Sequence, residues 1–455
     1  MSVAALALSA LLDRGLLDYY AYNRSASLAA YRAASELDPT SAVAYWGQAL
    51  ALGPNINQPL DAAGFAEAQP LLARAVAAEA TAAPRDRDLI DALALRYAGT
   101  WNDHASDEAA YRKQMGLVAA KYPTDDDVAM LYAEALADSG QTENWSRVGS
   151  LAAGVLARDP QHPMANHLCI HAQDDVADRA SAIACARRLD AMTFEPEQEH
   201  LAHMPAHAWI ETGAYAAAIA SSERAYELAE RLRAVPGAEP SVYEGHDVAI
   251  GYTAAMFLGD EGRGMTWAAR AKALDPTHDH TSMVLARFGR WSDILAEIDE
   301  NDATLAAAKA LALVRTGAFD RARTAFEQLP GAEKASPLGV MVQARLDEHA
   351  GKVNAAASAL RVLASQQFAN YDAEYLPPIP AIEALGGLYL RTGALTDAVA
   401  AFREALAHYP DDPRALYGLG IAYKKAGKAT ESAQATAAFL RRWEGADTAL
   451  SPDDI

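Results

Sequence analysis

Cysteine is nearly absent, with Cys169 and Cys185 the only two in 455 residues. Two thiols cannot make the multi-bridge framework of a small secreted scaffold, and their scarcity predicts a reducing, cytoplasmic setting. Aromatic residues are few as well, 8% of the chain, beside a hydrophobic content of 51% dominated by alanine. A core so short of large rings is built by close approach of small-faced helices. Positive charge is in deficit: 39 Lys and Arg face 60 Asp and Glu, for a net charge of −21. Nucleic acid and anionic membrane surfaces both reward Lys and Arg, so neither is an expected partner. Runs of 18 or more uncharged apolar residues are missing, which excludes a helical membrane span. The apolar opening, Met1 to Leu12, has no Lys or Arg ahead of it and runs on through Asp13-Arg14-Gly15 as an amphipathic helix, not as a secretory leader. Strand signals are missing too, with no sustained alternation of apolar and polar residues and no Asn-Gly or Asp-Gly turn.

What is there is helical and periodic. One hydrophobic core sustains ~250–300 residues, so this chain either divides or extends as an open array. Leu385, Gly386, Tyr389, Ala398, Phe402, Ala405 and Pro410 fall at positions 7, 8, 11, 20, 24, 27 and 32 of the 34-residue tetratricopeptide (TPR) pattern, and Leu419, Gly420 and Tyr423 repeat the first three one period on. Each position has a mechanical task. Small residues at 8 and 20 let the two helices of a hairpin touch, the aromatic at 24 fills the gap to the next hairpin, and proline at 32 stops the second helix. Turn glycines recur in Thr392-Gly393-Ala394, Thr316-Gly317-Ala318 and Thr212-Gly213-Ala214, with Gly259 and Gly289 in the same role, while Pro39, Pro123, Pro160, Pro276 and Pro410 stop second helices. The expected fold class is all-α, a right-handed superhelical solenoid of TPR-like helix hairpins. Residues 1–275 form its N-terminal half and 276–455 a C-terminal series of repeats. Residues 53–60 read as a loop, 366–380 as a longer connection, and 446–455 as a frayed polar tail.

Histidine is where the chain departs from an ordinary repeat protein. An even spread of its 12 His puts about one in any 41-residue window, yet His167 to His207 holds five: His167, His171, His200, His203 and His207. Counting back from Gly213 as position 15 places His203 and His207 at positions 5 and 9. In the preceding hairpin His167 and His171 occupy the same two positions, and in the following one His246 falls at position 2. Positions 2, 5 and 9 line the concave groove of such arrays, so six imidazoles share one face. At ~100° per residue, His at i and i+4 lie within about 40° of each other on a helix. Pro205 lacks the N–H that would bond back to residue 201 and predicts a kink beside these histidines. Imidazole is the commonest protein metal ligand, so the set reads as a transition-metal site, copper favoured by the Irving–Williams order, with zinc or iron also admissible. His104, His162, His278, His280, His349 and His408 lack this phase and read as surface or capping residues. Cys169, about 200° round the helix from His167 and His171, reads as packed core.

With these motifs in hand, the chain resembles a broad bacterial family of TPR proteins over roughly residues 10 to 260. The shared segments are Gly15-Leu16 to Tyr20-Ala21-Tyr22-Asn23, Ala44-Tyr45-Trp46-Gly47-Gln48-Ala49-Leu50-Ala51-Leu52-Gly53-Pro54-Asn55-Ile56-Asn57, His167 to His171, and His200 to His207, with His246 matching a histidine of the next hairpin. The resemblance implies a common site in the N-terminal half. The family's segment continues with His where this chain has Arg24, so a metal position has been lost or a cation gained for an anionic substrate. Tyr20, Tyr22, Arg24, Trp46, Asn55 and Asn57 are expected to shape the pocket, the two asparagines as substrate-orienting or imidazole-orienting amides. The expected function is an enzyme that oxidises a small molecule at a multi-histidine, copper-favoured centre. A zinc-dependent hydrolase is the alternative, with Glu199 or Asp247 as general base. A non-catalytic adaptor holding a protein or peptide in the C-terminal groove is the other, with Arg414 and Lys424 its suggestive pair.

Overall fold

A computed structural model describes residues 3–172, 180–276, 280–297, 305–371, 375–444, 446 and 449–455. Among these residues every regular element is helical, and extended pairing is confined to one isolated bridge between Asn55 and Gln58. The chain forms two compact units: Met1–Ala208 with Glu223–Glu244, and Trp209–Ser222 with Gly245–Ile455. The first is built from α1 (Val3–Tyr20), α2 (Arg24–Leu37), α3 (Ala42–Ala51), α4 (Ala62–Ala78), α5 (Pro84–Arg96), α6 (His104–Lys121), α7 (Asp126–Ala137), α8 (Trp145–Leu156), α9 (Pro163–His171), α10 (Ala180–Asp190) and α11 (Glu199–His203). The chain passes between the units along α12 (Pro205–Glu211), α13 (Tyr215–Arg233) and α14 (Glu244–Leu258). The second unit continues through α15 (Glu261–Leu274), α16 (Thr281–Arg287), α17 (Trp291–Glu297), α18 (Ala306–Arg315), α19 (Phe319–Gln328), α20 (Gly331–Ala335), α21 (Pro337–His349), α22 (Val353–Ala369), α23 (Ala381–Thr392), α24 (Leu395–His408), α25 (Pro413–Lys425) and α26 (Ala429–Arg442). From α1 to α10, and from α15 to α19 and α21 to α26, each helix packs on the next, the arrangement of stacked hairpins.

Local chemistry explains the boundaries. Asn23, Ser41, Asp61 and Asp125 accept from the exposed N–H groups of the first turns of α2, α3, α4 and α7. Gly213, Gly259, Gly289, Gly317 and Gly393 all have positive φ, which only glycine adopts without strain, and so end first helices at the predicted turns. The second helices stop at Leu37, Lys121, Leu156, Leu274 and His408, each shortly before its predicted proline. The connection expected over 366–380 starts later, because α22 runs on to Ala369.

One packing rule recurs at both ends of the chain. Tyr31 of α2 sits between Gly15 of α1 and Gly47 of α3, where an added Cβ would lie 2.7 Å and 2.2 Å from its ring. Phe402 of α24 sits in the same way between Gly386 of α23 and Gly418 of α25, at 2.7 Å and 2.3 Å, and Trp267 of α15 rests on Gly251 of α14 at 2.5 Å. Sixteen residues separate ring from glycine in every case. The first hairpin therefore obeys the same device as the last, although its repeat is not evident by eye. Gly47→Ala is expected to destabilise the first unit by about 1–3 kcal/mol, since neither Tyr31 nor the α3 backbone has room to retreat. Urea unfolding followed by far-UV circular dichroism measures this.

Two expectations are corrected. Residues 449–455 are not frayed: they fold back on the second unit, with Ile455 only 1% exposed and a 3-10 turn over Pro452–Asp454. The Asp454 carboxylate, which looks solvated in sequence, accepts there from the Trp291 indole N–H, and the Asp454 and Ile455 carbonyls accept from arginines of distant helices. Cys169 of α9 and Cys185 of α10 are buried, as a packed residue should be, but they are joined as a disulfide. A single bridge is no framework, yet it removes the ground for expecting a reducing compartment. No described helix is long and apolar enough to cross a membrane.

Candidate metal centre

Five of the six singled-out histidines meet inside the first unit. His167 and His171 lie one turn apart on α9, while His200 and His203 lie on the short α11, held against α13 by Ala202 packing on Ala225 and Leu228. The helix that would carry His203 and His207 together breaks at Met204. Pro205 has no N–H for the bond to residue 201, so α12 starts anew there and His207 is placed by a tighter bond from its N–H to the Met204 carbonyl, 3.3 Å. Across this break the two imidazoles converge, with His203 Nε2 3.2 Å from His207 Nε2.

The five rings form a closed circuit. Centroid separations are 5.1 Å from His167 to His171, 5.6 Å to His207, 5.0 Å to His203, 6.1 Å to His200 and 5.2 Å back to His167. His167, His200, His203 and His207 are 5% exposed or less, and His171 is half-buried. Gathering buried imidazoles this closely disfavours their charged forms. His167 is held well below the ordinary histidine range, first by burial and then by His171 and His207. Its Nδ1 lies 3.4 Å from the Tyr20 carbonyl, which only accepts, so Nδ1 carries the proton. Its Nε2 is buried without a hydrogen-bond partner among the described residues and keeps its lone pair, the tautomer a metal ligand requires.

Aromatic side chains brace the circuit. Tyr22 packs on His167 at 4.6 Å and nearly parallel to His200 at 5.5 Å, and its hydroxyl donates to Glu134 Oε2 at 2.9 Å. Its φ of +58° is a left-handed backbone in a bulky residue, a strained conformation of the kind that clusters at functional sites. Tyr243 also packs on His200, at 4.3 Å, and directs its hydroxyl to Asn55 Oδ1 at 3.4 Å. Trp145 approaches His171 at 6.2 Å. Glu134 is buried on α7, and burial pushes its carboxyl up to about 7. Asp138, one turn on, is driven upward by burial and by Glu134. Asp138, Trp145 and Asn55 also line a cleft of about 530 Å³ together with Pro54, His104 and Glu108. The cleft thus meets the circuit at Trp145, which lines it and approaches His171.

The remaining expected site residues are placed as follows. Tyr20 contributes its carbonyl, while its hydroxyl binds Asp127 at 2.8 Å and its ring tilts on His162. Arg24 donates to the Gly53 carbonyl at 2.9 Å and lines a second, smaller cleft with Tyr22, Glu199 and Tyr243. Asn55 shapes its own turn by accepting from the N–H groups of Asn57 and Gln58, besides receiving Tyr243. Asn57 is exposed, and Trp46 lines a different cleft with Leu16, Tyr31 and Arg85, so neither is brought to the histidines. His246 stands in the first turn of α14, within the second unit, as does Asp247. Glu199 opens α11, buried, and accepts from the Ser241 hydroxyl.

The out-of-phase histidines divide cleanly. His162 caps α9, its Nδ1 accepting from the Ala165 N–H at 3.3 Å. His104, His280, His349 and His408 stack on Trp101, Tyr252, Phe319 and Phe368. His278 lies outside the described residues. Sequence reasoning missed Glu134, Asp138, Trp145 and Tyr243. The four-residue spacing of Glu134 and Asp138 on an otherwise apolar helix was the available signal.

Comparison with known proteins bears on the hairpins. Residues 386–427 match the model of the TPR repeat. No curated protein matches the chain. Among solved structures, the human IFIT1 dimer with m7Gppp-AAAA is 15% identical, with 95% of this chain and 90% of that one covered at a TM-score of 0.36. The APC/C heterotetramer Cut9–Hcn1 is 11% identical, covering 81% of each chain at 0.33, and the P58(IPK) TPR domain is 16% identical, covering 96% of each at 0.24.

Proposed function

We propose that the first unit is a transition-metal centre held by His167, His171, His200, His203 and His207, with copper the favoured ion, and that it oxidises a small molecule admitted through the adjoining cleft. The observation that carries this reading is the closed circuit of buried imidazoles. Two imidazoles bound to one tetrahedral ion at about 2.0–2.1 Å have their ligating nitrogens about 3.3 Å apart and their ring centroids about 5 Å apart. The Nε2–Nε2 separation of 3.2 Å and the centroid spacing of 5.0 Å between His203 and His207 fit those values, and three further edges of the circuit have centroid spacings of 5.1–5.6 Å. A purely structural role for so many apposed, dehydrated imidazoles has no comparable physical benefit. The donor set is nitrogen without thiolate, since the two cysteines of the chain, Cys169 and Cys185, are paired with each other. Such a set suits copper or zinc, and affinity for divalent ions peaks at copper.

Bound copper supplies one-electron redox chemistry. The chain's own residues supply the rest. Tyr22 and Tyr243 both pack on the His200 ring, Trp145 and Asn55 line the cleft, and Glu134 is a carboxyl poised to exchange a proton near neutral pH. That last property also favours the zinc-hydrolase reading, with Glu134 in place of Glu199 as the base. Electron spin resonance separates the two. Protein loaded with Cu(II) at one equivalent is expected to show a single signal with nitrogen splitting and a visible absorption band, both lost in His167→Ala. Retention of zinc against excess Cu(II), with no such signal, contradicts the copper assignment.

A further inference from the structure

The cleft beside the histidine circuit carries charge of both signs, and its charged groups are short of partners. Asp138 caps the C-terminus of α7, and it lines the cleft although its side chain is only 4% exposed. Neither carboxylate oxygen receives a hydrogen bond among the described residues. Arg96 Nη2 stands 3.8 Å from Oδ2, too far for one. Arg96 is itself fully buried, pairs with Glu108 at 2.8 Å and lies over the Tyr111 ring at 4.0 Å. Glu134, one turn back on α7, is another carboxyl and takes its hydrogen bond from the Tyr22 hydroxyl. Burial and then Glu134 drive the Asp138 carboxyl upward, the mark of a carboxylate with too little cation beside it. A carboxylate taken out of water is costly to keep unless a cation or a donor meets it.

The opposite sign enters from α6. Arg112 lines the same cleft, half-buried, and forms no ion pair among the described residues. Glu108, one turn back on that helix, is committed to Arg96. The rest of the wall is largely apolar: Pro54, Ile56, Pro59 and Leu60 come from the loop after α3, and Trp145 opens α8. Asn55 turns that loop by accepting from the N–H groups of Asn57 and Gln58. Gly53 is needed at its start, because an added Cβ would lie 2.7 Å from Arg96 Nη1. At about 530 Å³ the cleft falls in the range of about 300–1,000 Å³ typical of small-molecule sites. A bare cation would leave Arg112 unmatched there, and a bare anion would leave Asp138 so. One ligand carrying both signs answers both.

We infer that this cleft binds a free amino acid with an apolar side chain, its ammonium on Asp138, its carboxylate on Arg112 and its side chain against Ile56, Leu60 and Trp145. An ammonium brings three donors to the Asp138 oxygens, and a guanidinium meets a carboxylate with two parallel N–H bonds. Trp145, which also approaches His171, sets the occupant beside the circuit. As the substrate class of the proposed centre, the amino acid rests on that reading. The binding itself uses the cleft alone, so it is measured on protein freed of metal.

Isothermal titration calorimetry on the full chain, dialysed against a chelator, compares L-leucine with 3-methylbutylamine, which lacks only its carboxylate, and with 4-methylpentanoate, which lacks only its ammonium. L-Leucine is expected to bind at least about 10-fold more tightly than either. Arg112→Gln should bring leucine down to the level of the amine, and Asp138→Asn to that of the carboxylate. The asparagine keeps the size of the side chain it replaces, and Arg112→Gln changes a half-buried position of α6, so the second variant carries the test should the first fail to fold. Equal affinity for leucine and the amine, affinity unmoved by both substitutions, or no heat from L-leucine or L-phenylalanine at about 10 mM would overturn the assignment. Leucine binding by a protein that takes up no transition metal would uphold the cleft and sink the metal reading. The reverse pattern would sink the amino acid alone.

Discussion

His203→Ala is expected to weaken transition-metal affinity by at least about 100-fold, more than the loss of an orienting partner alone produces. His203 has the closest ring–ring approach in the circuit, its Nε2 3.2 Å from that of His207, and it is the link between His207 and His200. Alanine leaves Met204 and Pro205 where they are, so the chain break persists and the loss is of one donor and not of the fold. The variant should keep its helical circular dichroism and lose its metal on dialysis against a chelator that leaves wild type loaded. His162→Ala is the control, because His162 serves α9 as a cap and stands outside the circuit. Equal metal loss in both variants would mean that the ion is held nonspecifically.

Phe402→Ala is expected to cost about 3–5 kcal/mol, the largest single loss of stability in the second unit. Phe402 is fully buried, and its ring spans the space left by Gly386 and Gly418 on the two flanking helices. Three helices lose their shared contact at once, and none carries a side chain there to close the gap. In stacked hairpins stability resides in neighbour interfaces, so amide exchange should rise first in α23, α24 and α25. The corresponding fall in melting temperature for a unit of this size is roughly 10 °C. A shift within a degree of wild type would show that the glycine–ring–glycine device does not govern packing.

The hairpins were legible because their rules are local. Turn glycines, helix-stopping prolines and an aromatic sixteen residues from a glycine all act within one or two helices. The clustering of the histidine rings was legible for the same reason: His167 and His171 share a helix face by spacing alone, and Pro205 announces the break beside which His203 and His207 converge. What was not legible comes from pairing across long separations. Tyr243 reaches His200 from a segment some forty residues away, and Tyr22 meets Glu134 across 112 residues. Trp46 and Asn57 belong to shared motifs but serve other parts of the first unit. The last segment reads as solvated in isolation, because nothing local reveals that Arg315, Arg391 and Arg414 gather around it.

Elemental analysis of the untagged protein, purified without chelator, tests the central claim most directly. The account predicts about one equivalent of a transition metal per chain, copper in copper-replete medium, and its loss from His203→Ala but not His162→Ala. Less than roughly 0.3 equivalents of any transition metal, with no gain on reconstitution with Cu(II) or Zn(II), would contradict it.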